Sequence, residues 1–310
     1  MRLQMQNYFV TDGATSAGGD SAVTIEAQRA DGSFTFANRL LAEGFTFSWN
    51  ALPAASDYDG LTVVLEDSLD PSVRLEVDIE RSGSAAIAHV GGTSVEIGSG
   101  FLTSSASNAF EIGYRSGVLS FGAVSVSAGT FSGFPSGYVY LTVAFSGAAQ
   151  GSAFDVTDIN DQPISAAAND RIRPKINILG TYGAAVQFGT RQTVPAAIAG
   201  DVLDPDTTLL LTVTAPGGEL VTAVDGTVLS AVVPDRAYEI DLTQYGQYFV
   251  SYVASDTFSG REFELGYAIT VEDRTAPAIA FAHDFAESVK VGDVIVIPDF
   301  TVTDNVTAAE

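Results

Sequence analysis

Hydrophobic and polar residues alternate with a period of two along much of this chain. Between Arg74 and Glu80, Leu75, Val77 and Ile79 fall on one side and Glu76, Asp78 and Glu80 on the other. That spacing predicts a strand with one buried face and one wet face. Phe34–Phe36, Phe45–Phe47, Leu61–Leu65, Leu75–Ile79 and Tyr138–Phe145 are short, and rich in β-branched or aromatic residues. Gly, Asp, Ser or Pro bound most of them, as they bound strands. Alanines cluster at Ala184, Ala185, Ala196, Ala197 and Ala199, but among Gly, Thr and Pro and without a sustained helical period. The pattern predicts an all-β chain built from sandwiches. The apolar run Tyr138–Phe145 is far shorter than the roughly 18 residues needed to span a bilayer, so no membrane insertion is expected.

A second regularity divides the chain. Pro174 recurs as Pro277, Pro195 as Pro298 and Asp201 as Asp304, each at an offset of 103 (277−174, 298−195, 304−201). Asp170-Arg171 likewise recurs as Asp273-Arg274, Ile176 as Ile279 and Gly189 as Gly292. A fixed period of this length predicts tandem domains. The expected organisation is a sandwich over residues 1–166, a second domain over 167–272, and the truncated start of a further copy over 273–310. The first boundary falls in the small-residue stretch Ala166–Asn169. In the second domain, strands are expected at Leu209–Thr214, Tyr238–Leu242, Tyr248–Ala254 and Tyr267–Val271, with turns at Pro216-Gly217-Gly218 and Asp225-Gly226. Tyr248, Val250, Tyr252 and Ala254 share one strand face, read as core packing with an aromatic sugar-binding strip as the alternative. The last 38 residues offer two or three strands, too few to close a sandwich, and the chain reads as part of a longer array.

Charge narrows the partners. The formal net charge is −24, from 38 acids against 14 Lys and Arg, shared evenly between the two parts. Uniform acidity favours solubility and makes nucleic acid or an anionic membrane a poor partner, since both require basic patches. Cysteine is absent, which removes disulfides and thiolate metal sites. A monomeric segment within a longer chain is expected.

Residues 170–310 resemble the immunoglobulin-like repeats of large bacterial surface proteins. The resemblance rests on Asp-Arg-Thr-Ala-Pro-Ala-Ile at 273–279, Val-Lys-Val-Gly-Asp at 289–293 and Thr-Val-Thr-Asp-Asn at 301–305. The segment Tyr248–Ala254 with Asp256 and Gly260 is similar to a late strand of such modules, including the hyaline-repeat type. Residues 1–166 resemble a concanavalin-like, laminin-G-like lectin sandwich. That likeness is carried by Gly133–Gly147, by Glu66-Asp67-Ser-Leu-Asp70-Pro71 and by Phe110-Glu-Ile-Gly-Tyr114. Together they imply a concanavalin-like jelly roll followed by an immunoglobulin-like sandwich and a partial second repeat. They also imply an extracellular, cell-surface or secreted setting and a role in glycan binding or adhesion, with the repeats as spacer.

Four sets of residues carry candidate chemistry. Glu76, Asp78 and Glu80 resemble the E-x-D-x-E strand of retaining β-glucanases, with Glu76 as nucleophile, Asp78 as the orienting acid and Glu80 as acid/base. Residues four apart on a strand start about 13 Å apart, whereas retaining chemistry needs carboxyl groups about 5–5.5 Å apart, so an ordinary wet strand face is the favoured reading and no enzyme is expected. Asp57, Asp59, Asp67 and Asp70, with Asp155, Asp158 and Asp161 further on, offer hard oxygens for calcium or side chains for turns. The repeated Asp170/Asp273 and Asp201/Asp304 pose the same choice, and the turn role is favoured. Trp49, Tyr58 and Tyr114 are candidates for stacking on a sugar, or for the core. His89 and His283 have no neighbour at metal-ligand spacing.

Overall fold

A computed structural model of the chain describes residues 9–18, 22–51, 58–83, 85–98, 109–148, 152–164, 172–183, 185–257, 259–282, 284, 288–292 and 294–304. Among these residues there is no helix. The strands are β1 (Phe9–Asp12), β2 (Ala14–Gly18), β3 (Val23–Ala27), β4 (Gly32–Phe36), β5 (Leu40–Leu41), β6 (Phe45–Ala51), β7 (Gly60–Asp67), β8 (Arg74–Ser82) and β9 (Ala85–Val90). They continue with β10 (Thr93–Glu96), β11 (Ala109–Arg115), β12 (Val118–Phe121), β13 (Val124–Ser127), β14 (Tyr138–Ser146), β15 (Ala153–Ile159), β16 (Gln162–Pro163), β17 (Lys175–Ile178) and β18 (Ala185–Gln187). The last are β19 (Arg191–Val194), β20 (Ala197–Gly200), β21 (Thr208–Thr214), β22 (Tyr238–Asp241), β23 (Gly246–Ser255), β24 (Glu262–Glu272), β25 (Ala278–Phe281) and β26 (Phe300–Thr303).

Two compact units emerge. The first holds Met1–Leu179, Ala197–Leu209 and Val253–Glu264; the second holds Gly180–Ala196, Leu210–Tyr252 and Leu265–Glu310. The first unit therefore takes in segments that the expected boundary at residue 166 assigns to the next domain. Hydrogen bonds account for this. The Tyr138 hydroxyl donates to the Lys175 carbonyl at 2.5 Å, Asn177 Nδ2 to the Ser136 carbonyl at 2.6 Å, and Asn38 Nδ2 to the Val202 carbonyl at 2.9 Å.

The first unit is a two-sheet sandwich of jelly-roll type. One sheet runs β1-β4-β14-β7-β8-β9-β10 with β5 on β14, and the other β13-β12-β11-β6-β15-β3-β2 with β16 on β15. The chain passes repeatedly from one sheet to the other, so sequence neighbours such as β3 and β4 lie in different sheets. Inward positions are filled: Phe34 and Phe36 of β4, Leu61, Val63 and Leu65 of β7, and Leu141 and Val143 of β14 face Phe45, Phe47 and Trp49 of β6 and Ile112 of β11. Phe34 meets Phe47 across the layer at 6.4 Å between ring centroids. β8 follows its predicted alternation, with Leu75, Val77 and Ile79 buried and the three acids outside. The hairpin from β15 to β16 turns on Asn160 and Asp161, at φ of 51° and 62°. Two consecutive positive φ angles make a type I′ turn, whose twist matches that of the strands.

The second unit contains a four-stranded ladder, β18-β24-β23-β21, and the pair β19-β22. The predicted strands at Leu209–Thr214, Tyr238–Leu242, Tyr248–Ala254 and Tyr267–Val271 are all present, within a residue or two at their ends, except that β24 begins at Glu262. Tyr248, Val250, Tyr252 and Ala254 are buried, which makes that face core rather than a sugar-binding strip. The Tyr248 hydroxyl accepts the backbone N–H groups of Thr243 and Gln244 at 3.1 and 3.0 Å. These two bonds tie the start of β23 back to the corner that precedes it.

The repeat is visible as geometry. Lys175 pairs with Gly200 and Ile178 with Ala197 in one ladder; Ala278 pairs with Thr303 and Phe281 with Phe300 in the other. Every partner is displaced by 103 (278−175, 303−200, 281−178, 300−197). In the first ladder Ala197 and Ile198 are buried, whereas every position of β25 and β26 is exposed. Exposed side chains contribute almost no hydrophobic stabilisation. A chain ending at Ala276 should therefore melt within about 2 °C of the full chain by calorimetry. A larger drop would show that the hairpin packs against the second unit.

Candidate functional site

The acidic strand comes first. The β7–β8 and β8–β9 registers run without interruption, from Gly60 opposite Glu80 to Glu66 opposite Arg74 and from Val77 opposite Val90 to Ser82 opposite Ala85. With no bulge on β8, the backbones of Glu76 and Glu80 stay about 13 Å apart, so side-chain reach alone must close the gap to a retaining pair. The carboxylates also have partners. The Thr62 hydroxyl donates to Asp78 at 2.7 Å, Arg74 lies 3.4 Å from Glu76, and His89 Nε2 lies 3.0 Å from Glu80 with Nδ1 2.9 Å from Ser94 Oγ. Asp78, Glu80, His89, Asp59 and Thr62 do border an open depression of about 590 Å³ on this face. The exposed pairs among them are worth at most about 1 kcal/mol each.

The calcium candidates do not converge. Asp57 lies outside the described residues. Asp67 is 1% exposed, and both of its carboxylate oxygens accept backbone hydrogen bonds. Oδ1 accepts the N–H groups of Leu69 and Asp70 at 2.9 and 3.1 Å, and Oδ2 that of Ser136 at 2.8 Å. This corrects its reading as a metal ligand: Asp67 closes the turn after β7 and pins the Phe131–Gly137 loop. Asp70 accepts from the Ser72 hydroxyl and N–H, which holds its carboxyl below the usual range. Asp59 is exposed and stands against Gly147. Asp155 accepts from Thr24 Oγ1 at 2.6 Å. Burial pushes Asp158 up to about 6, with the nearby charge of Asp161 adding to it. Asp201 caps a turn, as the sequence favours, through Leu203 and Asp204 N–H groups at 2.9 and 3.3 Å, while its Oδ2 is buried without a hydrogen-bond partner. Asp273 accepts the Thr275 N–H at 3.0 Å; Asp170 and His283 lie outside the described residues. Among the described residues no group of three or more His, Asp and Glu is arranged to hold a metal ion.

Of the three candidate stacking residues, two are corrected by burial. Trp49 is 3% exposed, stacked on Phe47 at 5.0 Å and tilted against Phe110 at 5.8 Å. Tyr58 is 5% exposed and edge-on to Phe145, and its burial raises its hydroxyl pKa. Both rings are spent on packing and have no face open to a pyranose.

Tyr114 is also buried, at 5% exposed, so its ring too is packed in the core, but it lies against a cleft whose other rings are open. It forms the floor of an open cleft of about 460 Å³ whose walls include Phe131, Phe134, Ser132, Glu43 and Ser116. The three rings make a mutual edge-to-face cluster, with centroids at 5.6 Å (Tyr114–Phe134), 6.2 Å (Tyr114–Phe131) and 4.8 Å (Phe131–Phe134). Phe131 and Phe134 are half-buried, so part of each ring faces the cleft. Glu43 accepts from the Ser116 N–H at 3.2 Å and hydroxyl at 3.1 Å, which fixes polar groups at the rim. Phe131 and Phe134 are functional candidates that the sequence reading did not single out; the aromatic spacing within Gly129–Gly137 was the available signal.

No protein-family model matches this chain, and no curated protein matches it. Solved structures do. A carbohydrate-binding module from Bacillus subtilis, CBM66, is 8% identical, covering 50% of this chain and 94% of its own at a TM-score of 0.32. A β-glucanase from Bacillus licheniformis is also 8% identical, covering 47% and 91% at 0.30. The adhesin domain of Epf from Streptococcus pyogenes is 11% identical, covering 85% and 82% at 0.25. At these identities and scores none of them assigns a ligand or a residue role here.

Two outcomes check this account of the acids. Asp67→Ala should lower stability by about 2–4 kcal/mol, equally in calcium and in chelator, because it strips three backbone donors of their acceptor. A loss confined to calcium would make Asp67 a ligand after all. Asp201 is raised from 3.8 to about 6 by burial, with Asp256 and Asp204 adding repulsion. A raised acid favours folding most below the unfolded value, so stability should fall as pH rises from about 4 through about 6, by no more than about 3 kcal/mol. Asp201→Asn keeps the Oδ1 acceptor and should remove that slope in denaturant titrations; an unchanged slope would mean another group titrates.

Proposed function

We propose that the first unit binds a saccharide in the Tyr114–Phe131–Phe134 cleft, within an extracellular segment that serves adhesion or glycan recognition. The observation that carries this reading is the aromatic cluster itself. Trp49, Tyr58, Phe34, Phe36, Phe45 and Phe47 are buried in the sandwich, whereas Phe131 and Phe134 present ring surface to an open cleft beside Glu43, Ser116 and Ser132. The apolar face of a pyranose suits a ring surface, and its hydroxyls suit rim groups that accept and donate. The cleft's volume lies within the roughly 300–1,000 Å³ of small-molecule sites. The repeated ladders would then act as spacer, projecting the head from a cell surface.

Hydrolysis by Glu76 and Glu80 is the rival, and the open depression beside Asp78 and Glu80 favours it. The uninterrupted strand register weighs against a retaining pair. Sugar release from mixed β-glucans that disappears in Glu76→Gln would establish the rival.

The binding reading is tested by presenting the full chain to a glycan array with and without calcium. Ser132 is exposed on the cleft wall, so Ser132→Trp should fill the cleft at little cost to folding and reduce binding at least about tenfold. Asp78→Asn on the far face should leave it unchanged. Binding that ignores Ser132→Trp and falls with Asp78→Asn would move the site to the outer face of the first sheet.

A further inference from the structure

A second cavity shares a wall with the aromatic cleft. Its volume is about 290 Å³, and every residue that lines it belongs to the first unit. Arg39, Arg115, Arg173 and Lys175 line it, four of the 14 Lys and Arg in a chain of net charge −24. Cations in so acidic a chain have carboxylates in abundance to pair with. Among the described residues none of these four forms an ion pair. Arg39 donates a long bond of 3.4 Å to the Tyr140 hydroxyl, and Lys175 Nζ sits 5.5 Å from the centre of the Phe263 ring. Among the described residues Arg115 and Arg173 form no ion pair and no side-chain hydrogen bond.

Three acids also line the cavity, and two are already committed. Glu43 holds the N–H and hydroxyl of Ser116. Asp201 is 4% exposed and spends Oδ1 on backbone donors, while Oδ2 has no hydrogen-bond partner; raised by burial to about 6, it is still mostly ionised at neutral pH. Asp161 is exposed on the hairpin turn. The lining therefore carries four cations against three carboxylates, a small positive excess within a strongly anionic protein. Guanidinium groups hold five N–H donors in a planar fork that matches a carboxylate, and such charge-assisted bonds are about twice as strong as neutral ones.

The cavity adjoins the cleft through Glu43, which lines both, while Ser116 and Arg115 follow one another along the chain, one on each. We propose that this cavity is an anion subsite that takes the carboxylate of an acidic sugar whose neighbouring ring lies against Phe131 and Phe134. This rests on the saccharide reading of the cleft. The small volume suits one sugar, and the surrounding −24 charge disfavours a polyanion. At about 0.15 M salt the Debye length is roughly 8 Å, so a single acid group in the cavity feels the lining's four cations and three acids far more than the remote acids.

The test titrates the full chain with a glucuronate-terminated disaccharide, its carboxyl-reduced counterpart and a sulfated counterpart, by calorimetry. The acidic disaccharide should bind at least about tenfold tighter than the reduced one. Arg115→Gln and Arg173→Gln, both at exposed positions, should each remove most of that advantage without altering the reduced sugar's affinity. Raising salt from about 0.05 to about 0.5 M should weaken the acidic ligand alone. Equal affinity for acidic and reduced sugars, with Ser132→Trp abolishing both, would overturn the anion subsite and leave the cleft standing. Acidic binding lost in the arginine variants but indifferent to Ser132→Trp would leave an anion site and sever its link to the cleft. Preference for the sulfated sugar would overturn the carboxylate assignment, and binding of none of the three would overturn subsite and cleft reading together.

Discussion

The first unit is governed by the requirement that two sheets bury their facing sides against each other. Phe34 on one sheet meets Phe47 on the other, with Phe36, Phe45 and Trp49 alongside. Burying a large apolar side chain is worth about 1.5–3 kcal/mol, whereas aromatic pair geometry adds about 0.5–1.5 kcal/mol beyond burial. An aromatic ring at an inward strand position is therefore held in the core more strongly than any single stacking contact could draw it out. Ligand-facing rings must come from positions that the sandwich does not need. That constraint selects the Phe131–Gly137 loop, where the partly buried Phe131 and Phe134 pack on the buried Tyr114 at the end of β11.

The loop owes its shape to a few hydrogen bonds rather than to a ladder. Asp67 joins the turn after β7 to Ser136, and the Ser136 hydroxyl donates to the Tyr138 carbonyl at 2.8 Å while accepting the Tyr138 N–H at 3.0 Å. Gly137, at φ +72°, lets Asn177 approach to where a Cβ would lie 2.7 Å from its Nδ2. These ties hold the aromatic walls before a ligand arrives, and preorganisation lowers the ordering cost of binding. They also bring Lys175 and its neighbours to the sandwich, so one set of bonds shapes the cleft and furnishes the cationic cavity beside it.

Much of this was legible in the residues, and the gaps have physical causes. Strict alternation declared β8, and β-branched or aromatic runs declared β4, β6, β7, β14 and β21 to β24. β9 was harder because three of its six residues are alanines, and β10 and β13 are short runs of mostly Ser, Thr and Val with no strong face. The offset of 103 proved to be a shared ladder register as well as a shared composition. The sites were less readable. Tyr114 stood out, but the rings that give it meaning lie in a loop without periodicity, and Trp49 and Tyr58 drew attention by residue type while the core claimed them. Asp67 looked like a calcium ligand because turn-forming and metal-binding acids share a chemistry. Arg39, Arg115, Arg173 and Lys175 are scattered in sequence, and only the fold brings them to one cavity.

The central claim is that ligand recognition belongs to the loop aromatics and not to the outer face of the first sheet. Ring-labelled phenylalanine makes this observable by NMR, because a pyranose laid against an aromatic face shifts that ring's resonances. On titration with an array-selected oligosaccharide, the Phe131 and Phe134 signals should move with a single saturable curve while those of Phe34 and Phe47 stay fixed. With the histidine rings labelled as well, still Phe131 and Phe134 resonances and a saturable shift of His89 would contradict the account.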